Sequence, residues 1–157
     1  MTCHFFALAA VGVGLSGGDR IFIELARRWA AWGHQVHIYV WQEGYDLVTA
    51  QKLQDQNIHF HIVNLRFFPK LGFFINYLAR VAAGLYLGLV VGAKDGDFFY
   101  SASDFWMDSF PALILKWRFP QNIWFAGWYQ TAPGPFNNYS SHPFFYWLSQ
   151  LLIKPLI

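Results

Sequence analysis

The stretch GVGLSGGDRIFIELARRWAAWGHQVHIYV, residues 12–40, decides the fold. Its first third is a glycine-rich loop, its middle has helical periodicity, and its last third alternates. In the middle, Ile21, Phe22, Leu25, Ala26, Trp29 and Ala30 recur at steps of three and four, with Arg20, Glu24, Arg27 and Arg28 on the opposite side. Glu24 and Arg28 form a favourable i,i+4 pair. Asp19 is read as the helix N-cap and Gly33 as its stop. Upstream, Cys3–Ala10 reads as a strand buried on both faces. Downstream, Val36, Ile38 and Val40 alternate along a strand at Gln35–Trp41. Strand, glycine loop, helix, strand is a βαβ unit of a parallel sheet.

Further along, Ile58–Val63 alternates as a third strand, and residues 46–56 between form a short polar helix or loop. Residues 71–93 form a long apolar helix, Phe98–Ser101 a fourth strand and Ile123–Tyr129 a fifth. A helix capped by Asp108 or Ser109, with Pro111 in its first turn, fills the gap and stops before Pro120. A last helix runs from Pro143. Pro155 would break it and no polar tail follows, so the chain reads as cut rather than finished. The expectation is one doubly wound, Rossmann-like α/β domain over residues 1–157.

The chain is 55% hydrophobic, 13% charged and carries a net charge of +2, and its basic residues are scattered, which argues against nucleic acid as a partner. The single Cys3 allows no internal disulfide. Residues 71–93 are long enough to span a bilayer, but Arg80 near the middle favours a helix packed on a sheet or lying in the interface. With the aromatic residues after Pro143, this suggests peripheral membrane contact.

Gly12, Gly14 and Gly17 spell G-x-G-x-x-G, the loop that brings backbone close to a pyrophosphate at a helix N-terminus. A dinucleotide site also needs an acidic residue at the end of the second strand, where Val40, Trp41 and Gln42 stand instead. A ligand-free turn explains the same glycines. Ligands of such sheets bind beyond the carboxyl ends of the strands, which selects the loop after the first strand, Tyr100–Asp104 and Trp128–Thr131. Asp104, read as an exposed loop aspartate, is the candidate for binding an acceptor hydroxyl and for a catalytic role, with a cap or turn former as the other reading. Asp95-Gly96-Asp97 precedes its strand and reads as a turn. His37, His59 and His61 read as a polar face rather than a zinc cluster. Asn138-Tyr139-Ser140 matches a glycosylation sequon, relevant only to a secreted chain.

SGGDRIFIELARRWAAWGHQVHIYV, residues 16–40, resembles the start of GT-B-fold glycosyltransferases of the large retaining family 4. YSASDFWMDSFPALILKW (100–117) and IWFAGWYQTAPGPF (123–136) resemble segments of some members. The resemblance implies the N-terminal, acceptor-side half of a GT-B enzyme that works without a metal or cofactor. Such an enzyme moves a sugar from a nucleotide-sugar donor to a glycan or lipid-linked acceptor, in the cytoplasm or at the inner face of its membrane. It implies a donor-phosphate role for Gly17 and Gly18 with Ser16 as an auxiliary donor, and places Tyr100, Ser103, Asp104, Trp128 and Tyr129 on the acceptor side. The histidine many members carry after the fifth strand is replaced by Trp128, Tyr129 and Gln130. The donor-binding second domain has no counterpart before Ile157, so the chain alone is expected to be inactive. The alternatives are an NAD- or FAD-binding fragment and a non-catalytic, membrane-associated domain.

Overall fold

A computed structural model describes all residues except 11–13, 65–67, 130, 138–142 and 157. Five strands form one all-parallel sheet in the order β3-β2-β1-β4-β5. They are β1 Thr2–Ala7, β2 Gln35–Trp41, β3 Ile58–Val63, β4 Phe98–Ser101 and β5 Ile123–Ala126. The helices are α1 Gly17–Ala31, α2 Gln42–Ala50, α3 Phe73–Val90, α4 Trp106–Arg118 and α5 Pro143–Ile153. The architecture is the doubly wound, Rossmann-like one expected.

β1 is central because both its faces are buried, with Cys3, Phe5 and Ala7 on one side and Phe6 and, just past its end, Leu8 on the other, beside His4. On the first side they meet Phe22, Ile23, Ala26 and Ala30 of α1 and Val48 of α2. On the second they meet α3 and α4 through Val81, Met107, Ala112 and Leu115. The chain thus leaves β1 toward one face and β4 toward the other, and a crevice opens between these neighbouring strands.

Local chemistry shifts several expected boundaries. Ser16, not Asp19, is the N-cap of α1: Ser16 Oγ accepts from Asp19 N at 3.1 Å, and Asp19 Oδ2 accepts from Ser16 N at 2.9 Å. This reciprocal box makes Asp19 the third helical residue. α2 starts at once after β2, at Gln42, rather than at residue 46. β1 ends at Ala7 and β5 at Ala126, each short of its expected end; beyond Ala126, Gly127 N still donates to Ser101 O at 2.8 Å. α4 begins at Trp106 after Phe105, so neither Asp108 nor Ser109 is its cap. Asp108 is instead drawn into the interior, and Pro111 sits in the second turn.

The α3–α4 contact is closer than usual. Pro111 has no N–H for the carbonyl of Met107, four residues earlier. That oxygen faces Gly84 of α3, where a Cβ would stand only 2.6 Å from it. One turn on, a Cβ on Gly88 would meet Ile114 Cβ at 2.9 Å and Pro111 Cα at 3.0 Å. The helices touch backbone to backbone because both positions are glycine.

Asp97 accepts from Lys94 N at 2.8 Å and Thr2 N at 3.2 Å, and Gly96 takes φ +87°, so Asp95–Asp97 is a turn, as read. The four-histidine face follows from register, since His4, His37 and His59 are paired across β1, β2 and β3. His37 Nδ1 and His61 Nε2 lie 2.8 Å apart, and His59 Nε2 lies 2.7 Å from Gln35 Oε1. Among the described residues, no group of three or more His, Cys, Asp or Glu is disposed to hold a metal ion. Gly12, Gln130 and the sequon Asn138-Tyr139-Ser140 lie outside the described residues.

Candidate functional site

A cleft of about 820 Å³ occupies the crevice beyond the carboxyl ends of β1 and β4. Its walls are the end of β1 and the following loop (Ala7, Ala9, Ala10), the start of α1, the β4–α4 loop, and Tyr129 and Tyr146. Of the residues singled out from sequence, Ser16, Gly17, Gly18, Ser103, Asp104 and Tyr129 all line it. Tyr100 and Trp128 do not. Tyr100 is buried on the α1 side of the sheet, and the Trp128 indole N–H donates to Thr131 Oγ1 at 3.4 Å.

The start of α1 brings the partial positive charge of a helix N-terminus to the cleft. As first-turn groups, the N–H of Gly17 and of Gly18 have no intrahelical acceptor. Asp19 also lines the cleft, and its Oδ2 is engaged by Ser16 N at 2.9 Å. The two glycines differ. A Cβ on Gly17 would enter open space, whereas one on Gly18 would stand 2.9 Å from the Tyr129 ring. Gly18 therefore lets one edge of the Tyr129 ring approach α1 closely, and the Tyr129 hydroxyl is 2.6 Å from that of Tyr100.

Asp104 corrects the expectation of an exposed loop aspartate: it is 4% exposed. Gln150 of α5 covers it, donating from Nε2 to Asp104 Oδ2 at 2.8 Å while its Oε1 accepts from Ala132 N at 2.7 Å. Burial raises the Asp104 pKa, and the Gln150 hydrogen bond partly offsets the rise. Buried carboxyls in clefts serve as hydrogen-bonding or proton-transferring groups.

Asp108 escaped the sequence reading because it was assigned to a cap. It is 1% exposed and lines the same cleft. Oδ1 accepts from Ala9 N at 3.0 Å and Oδ2 from Ser103 Oγ at 2.6 Å, so one carboxyl stitches the loop after β1 to the loop after β4. Burial pushes its pKa up to about 7 despite these donors. The sequence signal was an acid within the run Phe105–Leu115, where Ser109 is the other polar residue.

Glu43, the nearest acid to the end of β2, is engaged elsewhere: its Oε2 lies 3.4 Å from Arg80 Nη2. No protein-family model, curated protein or solved structure matches the chain.

Proposed function

We propose that the chain forms the acceptor-side half of a sugar-transfer site, in which a nucleotide-sugar diphosphate rests at the start of α1 and an acceptor hydroxyl approaches Asp104. The observation that carries this reading is the convergence of an open helix N-terminus at Ser16–Gly18 and the buried carboxyl of Asp104 on one cleft. Sugar transfer from a nucleotide releases a diphosphate, and the charge that develops needs N–H donors and a helix dipole. Gly17 supplies the open donor, Ser16 Oγ a hydroxyl beside it, and Asp104 with Ser103 the polar groups for a hydroxylated acceptor. Tyr129 offers a ring face at the cleft rim against which a sugar can stack. By resemblance, the remaining cations for the diphosphate come from a second domain, so donor binding by residues 1–157 is expected to be weak.

The dinucleotide alternative is less well supported, because it needs a free acid at the end of β2 and Glu43 is paired with Arg80.

The test is an amide-shift titration of the chain with uridine and guanosine diphosphates, nucleotide sugars and NAD. Shifts centred on Ser16–Gly18 are expected with diphosphates. Gly17→Ala, whose added methyl points into open cleft, is expected to weaken binding about tenfold with an unchanged melting temperature. Tighter binding of NAD, or equal binding to Gly17→Ala, would overturn the proposal.

A further inference from the structure

Helix α3 carries its polarity the wrong way round for a helix that merely covers a sheet. Its one charged residue, Arg80, is 3% exposed and faces inward with Val81, Gly84 and Gly88. Arg80 Nη1 donates to Leu8 O at 2.7 Å, Nε to Asn76 Oδ1 at 3.3 Å, and the guanidinium lies 4.6 Å over the Trp41 ring. The outward arc is apolar from end to end: Phe74, Leu78, Leu85, Tyr86, Leu89 and Val90 are between 39% and 64% exposed. A solvent-facing helix has polar residues there.

We propose that this arc is seated in the interfacial layer of an anionic bilayer, with α3 lying in the membrane plane. A spanning orientation would detach α3 from the sheet and strip Arg80 of its partners at the bilayer centre. The exposed charges bounding the arc are Lys70 at one end and Lys94, Asp95 and Arg118 at the other, a positive balance suited to anionic headgroups. Tyr86 at 64% and Trp117 of the adjoining α4 at 67% present the rings that favour the interface. A second copy of the chain is the weaker fit: a half-exposed helix of this length offers about 500 Å², against about 800 Å² per partner in stable interfaces.

The N-terminus of α3 follows the carboxyl end of β3, the end of the sheet where the cleft opens. An in-plane α3 therefore sets the cleft-bearing end of the sheet alongside the membrane surface. The membrane contact stands without the sugar-transfer reading, but what it brings to the cleft, a lipid-linked acceptor, rests on that reading.

The experiment is flotation of the full chain with vesicles of phosphatidylcholine alone or with one third phosphatidylglycerol. The chain is expected to float, more completely with the anionic vesicles, and to be released by alkaline carbonate. Leu78→Glu with Leu89→Glu is expected to lower the bound fraction about tenfold with an unchanged circular dichroism spectrum. A chain that stays down as a monomer with both vesicles overturns the inference. Resistance to carbonate overturns the in-plane orientation, and a solution dimer broken by the same substitutions assigns the arc to a second copy. Diphosphate shifts at Gly17 without flotation would sink this inference and leave the sugar-transfer reading standing; flotation without those shifts would do the reverse.

Discussion

Replacing Gly84 by alanine should destabilise the protein, although helix propensity alone says the opposite. In the interior of an exposed helix, glycine to alanine gains about 1 kcal/mol. Here the new methyl would stand 2.6 Å from the Met107 carbonyl oxygen and 3.3 Å from its carbon and Cα. These are backbone atoms held by α4, so no rotamer change relieves the contact and α3 must move off α4. Overpacking of this kind costs about 3 kcal/mol at the upper end of its usual range. The net expectation is a loss of about 2 kcal/mol, or about 4–8 °C in melting temperature for a chain of this size. Thermal and urea unfolding followed by circular dichroism measure it. Gly88→Ala should behave alike, because Ile114 Cβ and Pro111 Cα stand at 2.9 and 3.0 Å. An unchanged or higher melting temperature for Gly84→Ala would show that the two helices are not in backbone contact.

Two further outcomes follow from buried titratable groups. Asp108→Ala leaves Ala9 N–H and the Ser103 hydroxyl without their acceptor and should cost about 2–4 kcal/mol, whereas Asp108→Asn, which still offers an oxygen to Ala9, should cost under about 1 kcal/mol by chemical denaturation. Burial, and then the neighbouring His4, His61 and His59, push the His37 pKa down to about 4. The folded state thus binds fewer protons than the unfolded chain between about pH 6.5 and 4. Stability is complete above that window and lost as the pH falls through it. Discounted for the solvent at this half-buried ring, the loss is about 1–2 kcal/mol. His37→Gln should remove that part of the pH dependence, and identical pH profiles for the two proteins would refute it. Asp108, whose pKa is raised, acts in the opposite sense over the same range, so the comparison must be between the two proteins rather than read from the wild type alone.

β2, β3 and β4 were legible to the residue because each is a short apolar and aromatic run, alternating in β2 and β3, bounded by polar or glycine turns, a pattern written locally. The Ser16 cap was mistaken for Asp19 because a capping box uses both residues, and only the backbone angles say which stands outside the helix. The position of the cleft was legible through Gly17 and Asp104, since it depends on strand ends alone. What covers Asp104 was not, because Gln150 lies 46 residues away and no local pattern couples them. Asp108 was missed for a related reason: its donors are Ser103, five residues before it, and the backbone of Ala9, 99 residues before it. The inward turn of Arg80 was likewise fixed by Leu8 and Trp41, residues far from α3 in sequence.

The Arg80–Leu8 hydrogen bond has a mechanical consequence. Leu8 adjoins Ala9 and Ala10, which wall the cleft, and Ala9 is held in turn by Asp108. A push on the outer helix therefore reaches the cleft wall by two routes, through the Arg80 guanidinium to Leu8 and through the backbone contact with α4, which carries Asp108.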